Sequence, residues 1–163
     1  MLWSGLAIYD IIRKMAYTDI KTVIKGKLEA LKDDNEKTLL REVFLFDSNK
    51  ASGYPYATVV QSISEGEIID NTRVERIYEI AVKVFQEISE GGKSNEEAMT
   101  LMTTIEDEII NMFDSDRQLT VNGVPSCERV EIVSANKDYG TNESPYIILN
   151  FQVRCIKIID KTC

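Results

Sequence analysis

The sequence contains no histidine. That removes the Ser–His and Cys–His nucleophile schemes and the commonest zinc ligand set, while carboxylate–magnesium chemistry stays open. Its three cysteines, Cys127, Cys155 and Cys163, have no metal-ligand spacing, and an odd number argues against a disulfide framework. Cys127 and Cys155 are expected as small apolar strand residues of a reduced, intracellular protein. There is no internal repeat, no low-complexity tract and no apolar run long enough to span a bilayer. Leu2 to Ile12 is apolar but lacks a basic leading region and contains Asp10, so it is not expected to act as a secretory signal. Without such a signal the sequon Asn142-Glu143-Ser144 has no meaning. A phosphate loop is not expected either: Gly92-Lys93-Ser94 has the closing residues of one, but Glu87 stands where its first glycine is required.

What is present is acid, unevenly placed. The formal net charge is −8, which speaks against a surface built to hold nucleic-acid phosphates. Between Gln86 and Asp116 there are nine acids (Glu87, Glu90, Glu96, Glu97, Glu106, Asp107, Glu108, Asp114, Asp116) against Lys93 alone. That segment carries the whole imbalance, and the rest of the chain is formally neutral. A charge run of this kind is most simply a solvated helix face.

The same segment holds the clearest helix. Ser94 and Glu97 have capping-box spacing, and Ala98, Leu101, Met102, Ile105, Ile109, Met112 and Phe113 recur every three or four residues. The pattern predicts a helix from Ser94 to Phe113 with one apolar stripe. Burying each large side chain stabilises by roughly 1.5–3 kcal/mol, so the stripe needs a broad apolar partner. Met99 and Ile110 lie off it, on the flank of Met102, Glu106 and Phe113. Either the helix is more buried than average, or this second edge meets a neighbouring subunit.

Thr18 or Asp19 can cap an earlier helix whose positions Ile20, Val23, Ile24, Leu28 and Leu31 have helical spacing. Its outer face is basic, with Lys21, Lys25, Lys27 and Lys32 against Glu29. A basic first helix and an acidic second one suit head-to-tail association, which closes into a ring when the rotation permits.

The remaining chain reads as strands. Leu40 to Phe46 is a strand with its turn at Asp47 to Gly53, and Gly53 to Val60 is extended and aromatic, with Pro55 at a strand start or edge. Gln61 to Thr72 is expected as a long polar connection. Val74 to Ile88 satisfies both periods, and its β-branched and aromatic content favours a strand. A tight turn is expected at Asn122-Gly123, a strand at Val130 to Val133, a polar loop at Asn136 to Pro145, and a final strand at Tyr146 to Ile159. In that strand Ile147, Leu149, Phe151, Val153 and Cys155 share one face, and Asn150, Gln152 and Arg154 share the other, which meets water or a partner. The expectation is an α+β fold, a mainly antiparallel sheet of four to five strands packed against two helices. Residues 18–160 form its single domain and 1–17 an N-terminal extension, with Met15 an alternative start.

Metal chemistry finds no footing in these patterns. Asp114-x-Asp116 opens like a calcium loop, but the sixth position is Leu119 instead of glycine and the twelfth is Pro125 instead of glutamate. Glu106, Asp107 and Glu108 are consecutive on a helix and point about 100° apart, so they do not converge on one ion. No cofactor and no catalytic activity are expected.

Gly53-Tyr54-Pro55-Tyr56-Ala57-Thr58-Val59 after a first helix and strand, the Arg76 to Phe85 strand, the acidic helix ending Met112-Phe113-Asp114, the Leu119 turn and the closing Ile148 to Ile158 strand with Val153-Arg154-Cys155 together resemble the tail terminator proteins of long-tailed bacteriophages, also called tail completion or minor tail proteins. The resemblance spans Asp19 to Ile159 and carries no catalytic signature. It implies a ring, a hexamer, on the head-proximal end of the tail tube that stops tube polymerisation and offers the surface joining tail to head. The partners implied are further copies of the chain, the major tail tube protein and a head-completion protein, with DNA only as passing cargo and no membrane. The location implied is the virion, after assembly in the host cytoplasm. On this reading Lys21, Lys25, Met99, Glu106 and Ile110 meet neighbouring subunits. Ser64, Glu65, Glu67, Ile68, Tyr139 and Asn142, in the two polar connections, meet the tube or head proteins. The acidic segment either approaches the DNA channel or faces the next subunit's first helix. The competing reading is a small α+β ligand-binding or regulatory domain with the sheet face as its pocket.

Overall fold

The computed structural model describes residues 20–48, 50–88, 95–139 and 145–160. The first helix, α1, occupies residues 20–29 of these. It is followed by β1 (Glu42–Phe44), β2 (Tyr56–Ile68), β3 (Arg73–Glu87), the helix α2 (Asn95–Ser115), β4 (Arg129–Tyr139) and β5 (Tyr146–Asp160). The five strands make one sheet in the order β1-β2-β3-β5-β4. Every neighbouring pair is antiparallel except β1 with β2, which run parallel. The fold is the expected α+β arrangement.

Alternation decides which face of the sheet meets the helices. Ala57 and Val59 of β2, Ile80, Val82 and Val84 of β3, and Ile147 to Cys155 at odd positions of β5 are all buried. They join Ile20, Val23, Ile24, Leu28 and Leu31 of the α1 region and Ala98, Met102, Ile105, Ile109 and Phe113 of α2 in one hydrophobic cluster. Residues at period two from the strands and at periods three and four from the helices thus fill a common layer. Both helices lie on the same face. Glu96 and Glu97 sit in the first turn of α2, where the helix dipole favours them. The residue expected to cap it, Ser94, lies outside the described residues, as do 1–17 and Asn142.

Four expectations need correction. The strand read as Leu40 to Phe46 is only Glu42–Phe44, because β2 offers it just three partners, Tyr56 to Thr58. Cys127 lies in the bend before β4, not in a strand. Gln61 to Thr72, read as a loop, is mostly strand: β2 continues to Ile68, past a register shift between Gln61 and Ile63, with Ile68 opposite Val74. Ser64, Glu65, Glu67 and Ile68 therefore stand on one arm of a β2–β3 hairpin. Likewise Asn136 and Tyr139 are paired residues of β4, opposite Asn150 and Ile147. Ladder bonds run between backbones and place no demand on side-chain polarity, so polar strand ends open to water on both faces escape a reading based on apolar alternation.

Other expectations hold. Arg73 to Glu87 is a strand, and Tyr146 to Asp160 is another, with the inward and outward sets as read. Val121 and Val124 exchange two backbone bonds of 2.9 Å, and Asn122 and Gly123 between them have φ of 52° and 78°. Those positive values at both central positions belong to the tight primed turn.

Candidate interaction surfaces

The second flank of α2 is partly used within the chain. Met99 and Ile110 are half-buried and pack against the core, as do Leu101 and Met112 on the opposite edge. Lys137 on the edge strand β4 stands opposite the inward-facing Leu149, which aims it at α2. Its Nζ lies 3.0 Å from Glu106 and donates to the Thr103 hydroxyl at 3.5 Å. Glu106 thus has a cationic partner from its own sheet.

The lysines of α1 are engaged in the same way. Lys21 donates to the Leu45 carbonyl at 3.3 Å, and Lys25 lies 3.6 Å from Glu29 one turn on. Lys27 reaches Asp116, just past α2, at 3.0 Å. Asp116 also accepts from the Thr120 N–H at 2.7 Å and from its hydroxyl at 3.1 Å. Partial burial pushes the Asp116 carboxyl upward, but Lys27 and the two Thr120 donors outweigh it and leave the group below the usual carboxylate range. The carboxylate that sequence spacing offered to a cation is therefore a tie between α1 and the loop after α2. Within the chain, one lysine of α1 thus meets an acid just past the end of α2.

The sheet face away from the helices carries three zones. At its centre Glu79 accepts from Gln152 at 3.0 Å and from Arg154 at 3.1 Å, and Arg154 also approaches Glu131 at 3.8 Å. Next to β1 lies an aromatic cluster. Tyr56 stacks on Phe85 with centroids 4.8 Å apart and meets Phe44 edge-on at 6.0 Å. Tyr54 lies 5.9 Å from Tyr146 and donates a long 3.4 Å hydrogen bond to its hydroxyl. That bond raises the Tyr54 phenol well above its ordinary range, and burial adds to the shift. Phe46, 63% exposed, extends the cluster into solvent. The sequence reading missed this cluster, whose one visible signal was the alternation of Tyr54 and Tyr56.

The third zone is the hairpin arm. Its turn is organised by Asp70, which accepts from the Thr72 N–H, the Thr72 hydroxyl, the Arg73 N–H and the Arg73 guanidinium, at 2.8 to 2.9 Å. These donors, the Thr72 N–H foremost, hold its carboxyl well below the usual range. The turn is therefore defined by its own bonds, while Ile68 at its shoulder is 75% exposed and Ile69 beside it 45%. Across the hairpin Arg76 lies over Gly66, whose missing Cβ would stand 2.8 Å from the guanidinium. Glu65 and Glu67 are exposed. At the other margin of the sheet, Val133 and Tyr139 of β4 are also exposed, Tyr139 by 60%. The structure gathers Glu65, Glu67 and Ile68 on one arm, places Lys21 and Lys25 on α1, and puts Met99, Glu106 and Ile110 on one flank of α2. It does not bring these sets together within a chain.

An open groove of about 620 Å³ lies between the start of α2 and residues 33–39, lined by Asp33, Leu39, Glu96, Glu97, Thr100, Leu101 and Thr104. Its charge is acidic, and it stands on the helix side of the molecule instead of the sheet face that the ligand-binding reading requires. Among the described residues no three His, Cys, Asp or Glu side chains cluster as a metal site, and no helix is long and apolar enough to cross a membrane.

No family model matches the sequence, and no curated protein matches it. Among solved structures the fold is similar to a chain described as the virion of a native gene transfer agent particle. The TM-score is 0.54 at 11% identity, covering 86% of this chain and 96% of that one.

Proposed function

We propose that this chain is a structural virion protein that forms a ring at the head-proximal end of a phage tail tube. There it ends tube polymerisation and offers the surface that joins tail to head. The observation that carries the reading is the shared fold with a virion chain over nearly the whole of that chain's length. The residue pattern from Gly53 to Ile158 that resembles tail terminators supplies the finer role. Residues 18–160 act as the single domain, and no catalytic step is assigned to it.

In the ring Lys21, Lys25, Met99, Glu106 and Ile110 lie at or beside the contact between copies. Glu106 is already neutralised by Lys137, so the flank offers apolar area from Met99 and Ile110 more than charge. The partners beyond the ring are the tube protein and a head-completion protein, met by the hairpin arm (Ser64, Glu65, Glu67, Ile68) and by the β4 end with Tyr139 and Asn142. An arm that is self-ordered at Asp70 and exposes two isoleucines is suited to docking, since an isolated apolar tip gains area only from a partner. Native mass spectrometry of the full chain tests the ring: a hexamer is the expected species. A monomer at every concentration would refute it.

A further inference from the structure

The aromatic cluster on the sheet face away from the helices has no role in the contacts assigned so far. Its outward residues cross four strands: Phe44 of β1 stands opposite Thr58 of β2, Tyr56 opposite Phe85 of β3, and Phe85 opposite Ile148 of β5. A sheet with one bare face leaves such residues in water. Yet Tyr56 is 7% exposed and Thr58 only 1%, and the Thr58 hydroxyl has no hydrogen-bond partner among the described residues. The chain enters α1 at the margin of this surface. Lys21, in the first turn of the helix, donates to the carbonyl of Leu45, which lies between Phe44 and Phe46. The residues before Ile20 therefore set out from the sheet edge beside the exposed Phe46. They are strongly apolar, with Trp3, Leu6, Ile8, Tyr9, Ile11 and Ile12 inside ten positions. Seven residues, 13–19, separate that stretch from Ile20 and reach up to about 23 Å when extended. From β1 to β3 is two strand spacings, about 10 Å.

We propose that this aromatic face is the docking site for the chain's own residues 3–12, whose apolar side chains pack over Phe44, Phe46, Tyr56 and Phe85. The β1 end of the sheet is then covered twice, by the helices on one face and by the N-terminal segment on the other. Tethering favours this occupant over a second copy. A segment joined to α1 beside Phe46 meets the face at the high effective concentration of a short linker, whereas a separate chain first gives up its translational and rotational freedom. Charge agrees with the placement. Asp10 is the one acid in residues 1–17, and Lys83, opposite Thr58 in the ladder, projects from the same face with no ion pair among the described residues. The covered area has a natural limit, because towards the hairpin arm the face becomes polar at Glu79, Gln152 and Arg154. The docking does not depend on the virion reading.

Trp3 is the chain's one tryptophan, so its fluorescence in the full chain reports on the segment alone. Emission is expected well to the blue of its position in denaturant, with acrylamide quenching several-fold weaker, and neither should change on dilution. Phe46→Glu is expected to shift emission to the red and restore quenching while the far-ultraviolet circular dichroism stays as it is. Ile68→Glu, on the hairpin arm, should alter neither. Emission at the denatured position in the native full chain, or blue emission that survives Phe46→Glu, would overturn the docking. A second measurement leaves the face unaltered: the full chain carrying Ile8→p-benzoylphenylalanine is irradiated and digested. Its adducts are expected on the peptides holding Phe44, Phe46 or Tyr56 of the same chain. Adducts on α1 or α2 would overturn the site. Adducts between chains, told apart by mixing isotopically heavy and light protein, would give the face to a second copy and overturn the proposal. Oligomer size reports on the ring separately, so the two proposals fail independently.

Discussion

β2 and β3 are paired from Tyr56↔Phe85 to Ile68↔Val74, yet their two ends obey different rules. Near Tyr56 the sheet has α1 and α2 on one face, and Ala57, Val59, Val82 and Val84 are wholly buried. Near Ile68 the same ladder carries Glu65, Gly66 and Glu67 exposed, and its order comes from backbone bonds and the Asp70 turn. The first end is held by burial under the helices, the second by backbone bonds and the Asp70 turn, with Val74 and Tyr78 of β3 buried there. Burial fixes a fold and tolerates little change, whereas an exposed ladder can vary its side chains and still pair. The contrast assigns stability to the helix-backed half and leaves the arm free for the partner contact proposed for it.

The largest effect that tests this division is in the helix-backed half. Phe113→Ala empties a site in the cluster and is expected to cost about 3–5 kcal/mol, read as a lower denaturant midpoint. A loss below about 1 kcal/mol would mean that α2 is not the clamp on the sheet. Next is Lys137→Ala, which removes the strut between β4 and α2. Both partners are less than a third exposed at the side chain, so a loss of about 1 kcal/mol is expected, with Glu106→Gln giving a similar value and the double variant less than the sum.

Asp116→Asn gives a smaller, pH-dependent change. The folded carboxyl titrates below its ordinary 3.8, so its contribution is complete above the unfolded value and lost as pH falls through the folded one. Between pH 7 and about 5 the variant is expected to be uniformly less stable, and the gap should close below about pH 4. A gap that persists at pH 2 would contradict the Lys27 tie. The smallest effect on stability belongs to the arm. Ile68→Ser with Ile69→Ser should move the unfolding free energy by no more than about 0.5 kcal/mol while abolishing tail capping. Capping that survives would dissolve the contrast between the two ends.

Sequence legibility followed the same division. The inward sets of β3, β5, α1 and α2 were readable because burial imposes a period on apolar residues. Asn122-Gly123 was readable because its φ values demand those residue types. The arm beyond Gln61 and β4 beyond Val133 were not, because Glu65, Gly66 and Glu67, or Ser134 to Asn136, are exposed in succession and leave no alternation. Met99 and Ile110 were readable as a second apolar edge, but the reach of Lys137 across to Glu106 depends on a pairing register that no local pattern reports. The Lys27–Asp116 tie, 89 positions apart, is invisible for the same reason. The resemblance to tail terminators gave the functional proposal that periodicity alone did not.

Tail length in virions that lack this chain tests the central claim most directly. Electron micrographs should show tails longer than normal and variable in length, without heads attached, and normal tails once the chain is supplied again. Tails of normal length joined to heads in its absence would contradict the account.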